Sequence, residues 1–288
     1  MRFAFIQTEK AHYPVNALCS ALEVSRAGFY AFCKRPESIH AREDRRLKAL
    51  LRAAHARSKG RYGSPRLHDA LSKQEVFVSR KRVIRLMHEE ELVGRRPKRF
   101  KNTTVSDPSH TFAPNLLDRK FEADAPNKRW VGDTTELLTS SGKVYLAVVL
   151  DLFSRFVVGW ALSAVNDRHL TMKALAMALK RRCPDASLLH HSDRGSPYTS
   201  EDYQKMLEVH GVTVSMSRTG NCYDNAAMES WFSTLKAELG EKYESPKTAK
   251  HELFEYIEMF YNQQRTHSTL GYLSPGEYEA RARMNPAA

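Results

Sequence analysis

At 288 residues the chain is long enough for a sizeable core and about two domains. It contains no apolar run of about 18 residues, and its first residues, Met-Arg-Phe-Ala-Phe-Ile, are too short for a secretory core, so a membrane-spanning or exported protein is not expected. The net charge of +12 is uneven: residues 1–110 hold 24 Lys and Arg against 11 Asp and Glu, residues 111–288 hold 21 against 22. That asymmetry suits a front end that grips a polyanion and a rear that does chemistry. A basic surface kept only for solubility is the plainer reading.

In chain order, residues 14–24 read as a short helix, and Ser25 caps a second helix carrying Phe29, Tyr30 and Phe32. The pair is either a helix-turn-helix or an ordinary helical hairpin. Residues 36–59 predict a longer helix with Leu47, Leu50, Leu51 and Ala54 on one face, stopped by Gly60. Ser64 then caps a helix with Pro65 in its first position, and residues 76–78 read as a brief extended piece. Ser79 opens a helix with Val83, Ile84 and Met87 inward and Arg80, Lys81, Arg82 and Arg85 largely outward. The run Arg95, Arg96, Lys98 and Arg99 leads into a polar linker and suits a phosphate backbone, a solvated linker being the alternative. The expected organisation is 1–60 helical, 61–100 a basic helix-turn-helix-like domain, 101–125 linker, 126–245 catalytic core and 246–288 a C-terminal helix and tail.

From residue 126 the pattern changes. Strand-like runs at 130–138, 144–150 and 156–162 precede a helix capped by Asp167, and a strand at 187–190 runs into a polar turn at Asp193. A helix at 201–210, a strand at 212–215 and a helix begun at Asp224 or Asn225 follow, with a tail helix at 248–264. In the helix after Asn225, Met228, Trp231, Leu235 and Leu239 share one stripe, and Asn225, Glu229, Phe232 and Lys236 share a neighbouring face. Asp133, Asp193 and Glu229 each sit where the chain leaves or crosses a core element. Three such carboxylates suit hard divalent cations, which take oxygen ligands and leave positions for phosphate oxygens.

These residues resemble the catalytic protein of a bacterial insertion sequence, of the insertion-sequence-three type, in the transposase superfamily related to retroviral integrases. That superfamily carries an Asp, Asp, Glu triad, with 35 residues between the second Asp and the Glu in the integrase-like branch. Asp193 and Glu229 here are separated by 35 residues, and Lys236 stands at the basic position seven after the Glu. The family motif His-Ser-Asp-x-Gly-Ser-x-Tyr-Thr-Ser matches residues 191–200, and Tyr-Asn-x-x-Arg-x-His-Ser-x-Leu-Gly-Tyr-x-Ser-Pro matches 261–275 without a gap.

The resemblance implies an α/β fold. Its core would be ribonuclease H-like, a mixed five-stranded sheet with helices, preceded by an all-α helix-turn-helix DNA-binding region. It further implies two Mg²⁺ or Mn²⁺ ions about 4 Å apart on Asp133, Asp193 and Glu229, acting on double-stranded DNA at terminal inverted repeats and target. Cleavage to a 3′ end and strand transfer would follow, and Lys236 would contact terminal DNA. A homo-oligomer on DNA, a frameshift fusion with an upstream-frame protein and a cytoplasmic, nucleoid-associated location are expected on the same ground. A DNA-binding regulator without chemistry and a nuclease that cuts without joining share parts of this reading.

Duller roles fit several conspicuous residues. Asp151 reads as an ion-pair partner of Arg155 or a turn cap, His190 and His191 as strand-end polar contacts, and Trp130 and Trp231 as core anchors. Cys19, Cys33, Cys183 and Cys222 have no paired metal spacing and read as reduced packing residues. Arg265 and His267 match the C-terminal signature without an assigned role.

Overall fold

The computed structural model describes residues 1–96, 113–218 and 222–284. Three short helices come first, α1 (Arg2–Glu9), α2 (Val15–Ala21) and α3 (Arg26–Lys34). Ile6, Cys19 and Phe29 form their small core. Ser25 caps α3 as its position predicts, its Oγ accepting from the Gly28 N–H at 3.0 Å.

A second helical group contains α4 (Ile39–Arg57), α5 (Ser64–Ser72) and α6 (Arg80–Glu89). Leu47, Leu51 and Ala54 recur at helical spacing and bury one face of α4. On α6 the buried stripe is Val83, Leu86 and Met87. Ile84, expected inward, is 48% exposed, because it lies one residue, about 100°, round from Val83. In α5 the cap is Gly63 and Ser64 is already helical, one residue earlier than expected. Residues 76–78 join no strand.

The remainder is built on a sheet of β1 (Arg129–Thr139), β2 (Gly142–Asp151), β3 (Val157–Ser163), β4 (Leu189–Ser192) and β5 (Thr213–Met216), in the order β3-β2-β1-β4-β5. β1, β2 and β3 are antiparallel neighbours, whereas β4 and β5 run parallel to β1. A two-residue strand, β6 (Lys242–Tyr243), also pairs with β1 and makes the sheet six-stranded rather than five. The helices of this part are α7 (Arg168–Arg182), α8 (Ser196–Thr199), α9 (Glu201–Val209), α10 (Ala226–Glu238), α11 (Pro246–Phe254) and α12 (Pro275–Met284).

Alternation along β2 serves two cores. Leu146, Val148 and Leu150 face α10, α11 and the α4–α6 group, while Ala147 and Val149 face α7 and α9. A Cβ on Gly159 would lie 2.2 Å from the Ala174 carbonyl oxygen, so only glycine lets α7 approach β3 this closely.

The expected single tail helix is interrupted. α11 passes at Glu255 into a π-helical segment, Glu255–Tyr261, which buries Tyr256, Ile257, Phe260 and Tyr261. The chain beyond it returns to the end of α10. There the Glu238 carboxylate, 3% exposed, accepts from Arg265 Nη2 at 2.7 Å and Nε at 2.9 Å and from Tyr256 Oη at 3.0 Å. Burial opposes the Arg265 charge, but these bonds to Glu238 prevail and raise its pKa above the ordinary arginine value. The Glu238 carbonyl accepts from Arg61 Nε at 3.3 Å and Arg95 Nη1 at 2.6 Å, which places cations on the C-terminal end of the helix dipole. Arg66 Nε donates to the Thr266 carbonyl at 2.8 Å, and Tyr62 Oη to the Gln264 carbonyl at 3.1 Å. The α4–α6 group is thereby fastened to the sheet-bearing part.

Replacing Arg265 by Met leaves Glu238 buried without its main counter-charge and should lower unfolding stability by about 3–5 kcal/mol. Denaturant titration measures this, and a Glu238→Gln/Arg265→Met double variant should recover part of the loss. Additive single losses would show that the pair is not coupled.

Candidate active site

Pairing of β1 with β4 brings the first two carboxylates together. Gly132 lies opposite Ser192 in the parallel register, so Asp133 and Asp193 are the next residue on each chain. Asp133 Oδ1 accepts from the Thr134 N–H at 2.7 Å and Oδ2 from Asn225 Nδ2 at 2.8 Å. Asp193 Oδ1 accepts from the Gly195 N–H at 3.0 Å. A Cβ on Gly132 would stand 3.0 Å from His190 Nε2, so glycine gives the strand room beneath the site. α10 packs on β1 and carries Glu229 in its first turn.

Burial and neighbouring charge act on all three groups to different degrees. Asp133 keeps a partly exposed face yet lies deep among protein atoms. Burial first, then the Asp193 charge and, more weakly, that of Glu229 push its pKa well above the carboxylate range against its two hydrogen bonds. Burial also raises Asp193 and Glu229. Tyr198, buried beside the pair, has its pKa raised by burial and by the Asp133 and Asp193 charges.

The donors suit a hard cation: all are oxygens, their mutual repulsion would be relieved by positive charge, and Asn225 Oδ1 is buried without a partner next to Asp133. Among the described residues no three His, Cys, Asp or Glu side chains stand together as a group that could hold a metal ion. The arrangement is two adjacent aspartates with Glu229 on the helix packed against their strand, not a finished ligand cage.

The entry to α10 departs from expectation. Asn225 is its cap residue, but its side chain makes no cap bond and serves Asp133 instead. Asp224 is a clamp: its buried carboxylate accepts from Arg218 N, Nε and Nη2 at 2.9–3.0 Å, from Arg119 Nε at 3.0 Å and from Asn115 Nδ2 at 2.9 Å. The hydrogen bonds from Arg218, aided by Arg119, hold its pKa far below the ordinary value. The sequence gives no signal for this convergence except the density of polar residues around the loop.

His190 and His191, expected as strand-end contacts, lie in the middle of β4 and make buried polar contacts there. Ser215 Oγ accepts from the Leu116 and Leu117 N–H groups, which leaves its one proton for His191 Nδ1 at 2.8 Å and places the ring proton on Nε2, facing Ser217 Oγ at 3.1 Å. Burial lowers the pKa of His190 to about 3 and of His191 to about 4. Trp130 and Trp231 are buried anchors of the two cores.

The candidate DNA-contact residues divide. Arg80 and Lys81, at the start of α6, and Arg96 are exposed. Arg82 pairs with Asp44 at 2.8 Å and Glu43 at 3.1 Å, and Arg85 with Asp44 at 2.7 Å and Glu89 at 2.6 Å. α4 therefore offsets part of the basic face of α6. Arg95 is engaged by the Glu238 carbonyl. Lys236 is half-buried on α10. Lys98, Arg99 and linker residues 101–112 lie outside the described residues.

Comparison with known proteins gives a consistent picture. An HTH-like domain family matches residues 41–100, and Integrase core domain families match residues 123–222 and 210–275. "Transposase InsF for insertion sequence IS3A" of Escherichia coli (strain K12) is 40% identical over 283 residues, 97% of this chain and 98% of that protein. "Insertion element IS600 uncharacterized 31 kDa protein" of Shigella sonnei is 41% identical over 263 residues, 91% of this chain and 97% of that protein. Among solved structures, the HTLV-2 integrase catalytic core domain in complex with magnesium is 17% identical with a TM-score of 0.43, covering 54% of this chain and 98% of that one. The simian T-cell lymphotropic virus intasome with PP2A regulatory subunit B56 gamma is 15% identical with a TM-score of 0.47, covering 74% and 70%.

Asp151 ends β2 and acts as a turn cap, not as a partner of Arg155. It accepts from the Asn127 N–H at 2.7 Å, the Phe153 N–H at 2.9 Å and Trp130 Nε1 at 3.3 Å, whereas Arg155 donates to the Phe121 carbonyl. Burial raises its pKa to about 6, above the unfolded value of about 3.9. The neutral acid is thus favoured in the folded state. Its stabilising contribution is complete below pH ~3.9, is lost as pH rises to about 6 and is constant above, a loss of up to about 3 kcal/mol. Urea unfolding at pH 4 to 7 should show wild type losing stability relative to Asp151→Asn between pH 4 and 6. Parallel profiles would refute the assignment.

Proposed function

Because this chain belongs to the IS3 family of insertion-sequence transposases, polynucleotidyl transferases with an integrase core, we propose that it cuts the element's DNA to a 3′ end and joins that end to a new phosphodiester, using Asp133, Asp193 and Glu229. The observation that supports this most is the parallel register that sets Asp133 beside Asp193, with Asn225 at the head of the Glu229 helix bonded to Asp133.

In the first step water attacks the phosphodiester at the element end. A new P–O bond forms as the bond to the 3′ oxygen breaks, and a 3′-hydroxyl leaves. In the second that hydroxyl attacks another phosphodiester, so one P–O bond is exchanged for another and no external energy source is needed. The Thr134 N–H and the Asn225 amide hold Asp133, the Gly195 N–H holds Asp193, and α10 presents Glu229. The attacking water or hydroxyl gives its proton to solvent and the departing oxygen takes one up, so each step balances without a covalent protein intermediate. A pair of Mg²⁺ or Mn²⁺ ions held by the three carboxylates would supply Lewis-acid neutralisation of the charge that develops on the phosphoryl oxygens.

Arg80, Lys81, Arg82, Arg85, Arg95, Arg96, Lys98, Arg99 and Lys236 are proposed to hold the DNA backbone, Arg82 and Arg85 also pairing with Asp44 and Arg95 with the Glu238 carbonyl. Terminal inverted repeats and target DNA are the proposed partners, with a homo-oligomer assembled on them and an upstream-frame fusion as a further form. Among the described residues no helix is long and apolar enough to cross a membrane.

The test uses labelled DNA from both ends of the element with Mg²⁺, Mn²⁺ or EDTA. Cleaved 3′ ends and joined products should require metal and fall at least about 10³-fold in Glu229→Gln, with duplex binding retained. Undiminished cleavage by Asp193→Asn would overturn the assignment, and binding without cleavage would favour a regulator. In the absence of DNA, Mg²⁺ should raise the melting temperature of wild type but not of Asp133→Asn, with a response that grows as pH rises and the carboxyl groups ionise.

A further inference from the structure

On α10 the side chains of Ala226, Ala227, Ser230, Trp231 and Thr234 line a cleft of about 380 Å³. At about 100° per residue they lie on the face opposite Asn225, Glu229 and Lys236. Three guanidinium groups border this cleft: Arg66 from α5, Arg155 from the turn between β2 and β3, and Arg265 from the C-terminal signature.

The positive charge there is only partly answered. Glu238 takes Arg265 at 2.7 Å and stands 3.7 Å from Arg66 Nη1. Arg155 instead donates to the Phe121 carbonyl at 3.2 Å, and burial lowers its pKa against the opposing influence of Tyr261 and Glu122. Its φ is +61°, a region L-residues other than glycine rarely adopt, so the turn holds a long cation here in a disfavoured backbone state. His267 is kept neutral, with its pKa lowered to about 2 by burial and then by the charges of Arg265, Arg66 and Arg155. The ring thus registers a positive potential from all three arginines. Hydroxyl groups of Ser230, Thr234, Ser268 and Thr269 and the rings of Trp231 and Tyr261 complete the lining. Guanidinium forks and hydroxyl donors are the groups that bind a phosphodiester, and the buried rings of Trp231 and Tyr261 form the floor beneath them.

We propose that this cleft is a second DNA site, which takes a phosphodiester of the bound nucleic acid on the side of α10 opposite the carboxylates. The identity of the ligand rests on the transposase reading; the phosphate chemistry rests on the cleft. Arg66 comes from the helical group and Arg155 from the sheet, so a strand seated here touches both parts of the protein at once.

The experiment titrates the full chain with a labelled duplex and, separately, with inorganic pyrophosphate, in EDTA and at several salt concentrations. Wild type is compared with Arg155→Gln, Arg155→Lys and Arg168→Gln, the last an exposed cation outside the cleft that pairs with Asp202. Duplex affinity should fall about five- to tenfold in Arg155→Gln with a salt slope smaller by about one. Arg155→Lys should retain most of the affinity, and Arg168→Gln should match wild type. Equal losses in Arg155→Gln and Arg168→Gln, or no duplex binding by wild type, would overturn the proposal. Pyrophosphate binding that depends on Arg155, without a matching effect on duplex, would overturn the assignment to DNA in favour of a free phosphoryl anion. Neither metal nor Glu229 enters this measurement, so its failure and a failure of cleavage are separate results.

Discussion

Asp133 has to sit beside a second carboxylate, Asp193, where burial strips much of its water away. Left alone, such a group would push its neighbours apart or take up a proton. Its two oxygens are held by a backbone N–H and an amide, its strand lies in the middle of the sheet, and Asp193 is set beside it by parallel pairing. The repulsion is therefore stored in a frame that cannot easily relax. Around this frame the protein places neutral groups: the flanking histidines are held uncharged by burial, and the buried Tyr198 keeps its proton.

The frame owes its stiffness to α10. One end of the helix is fixed by Asp224, which draws donors from residues 115, 119 and 218. The other end is fixed by Glu238, through its side chain to Arg265 and through its carbonyl to Arg61 and Arg95. Glu229 rides between these anchors. The region matched by the HTH-like family grips the same helix end, so the direction in which it faces is set relative to the helix that bears Glu229. The basic excess of the N-terminal part is correspondingly smaller in effect than its count of charges, since Arg82, Arg85 and Arg95 are all engaged within the protein.

Much of the sheet was legible from residues alone, because β2 alternates between two cores and its neighbours carry the same strand-forming residues. The three candidate carboxylates were singled out by their order and spacing together with the family motifs, and Asn225 was already placed on the face of Glu229. What escaped was long-range. Asp224 looked like a helix cap because Asp at that position is usually one, and only folding brings the distant Asn115 and Arg119 to it beside the nearby Arg218. Arg82 and Arg85 looked solvent-facing because helical periodicity describes one helix and says nothing of Glu43 and Asp44 on the next. Arg265 matched a motif without a reason until its partner 27 residues away came into contact. Ile84 was misplaced by a single position, within the tolerance of any reading of a short helix.

The π-helical segment Glu255–Tyr261 carries a further meaning. A turn of this kind holds an additional residue inside a helix that would close without it. The spare residue lets the adjacent pairs Tyr256–Ile257 and Phe260–Tyr261 all face inward, and it sets the angle at which the chain emerges toward residue 265. Removing one residue here would let the segment tighten to ordinary α-helix and turn everything after it by about 100°, carrying Arg265 away from Glu238 whatever its own identity. This stretch therefore fixes chain length as strictly as composition.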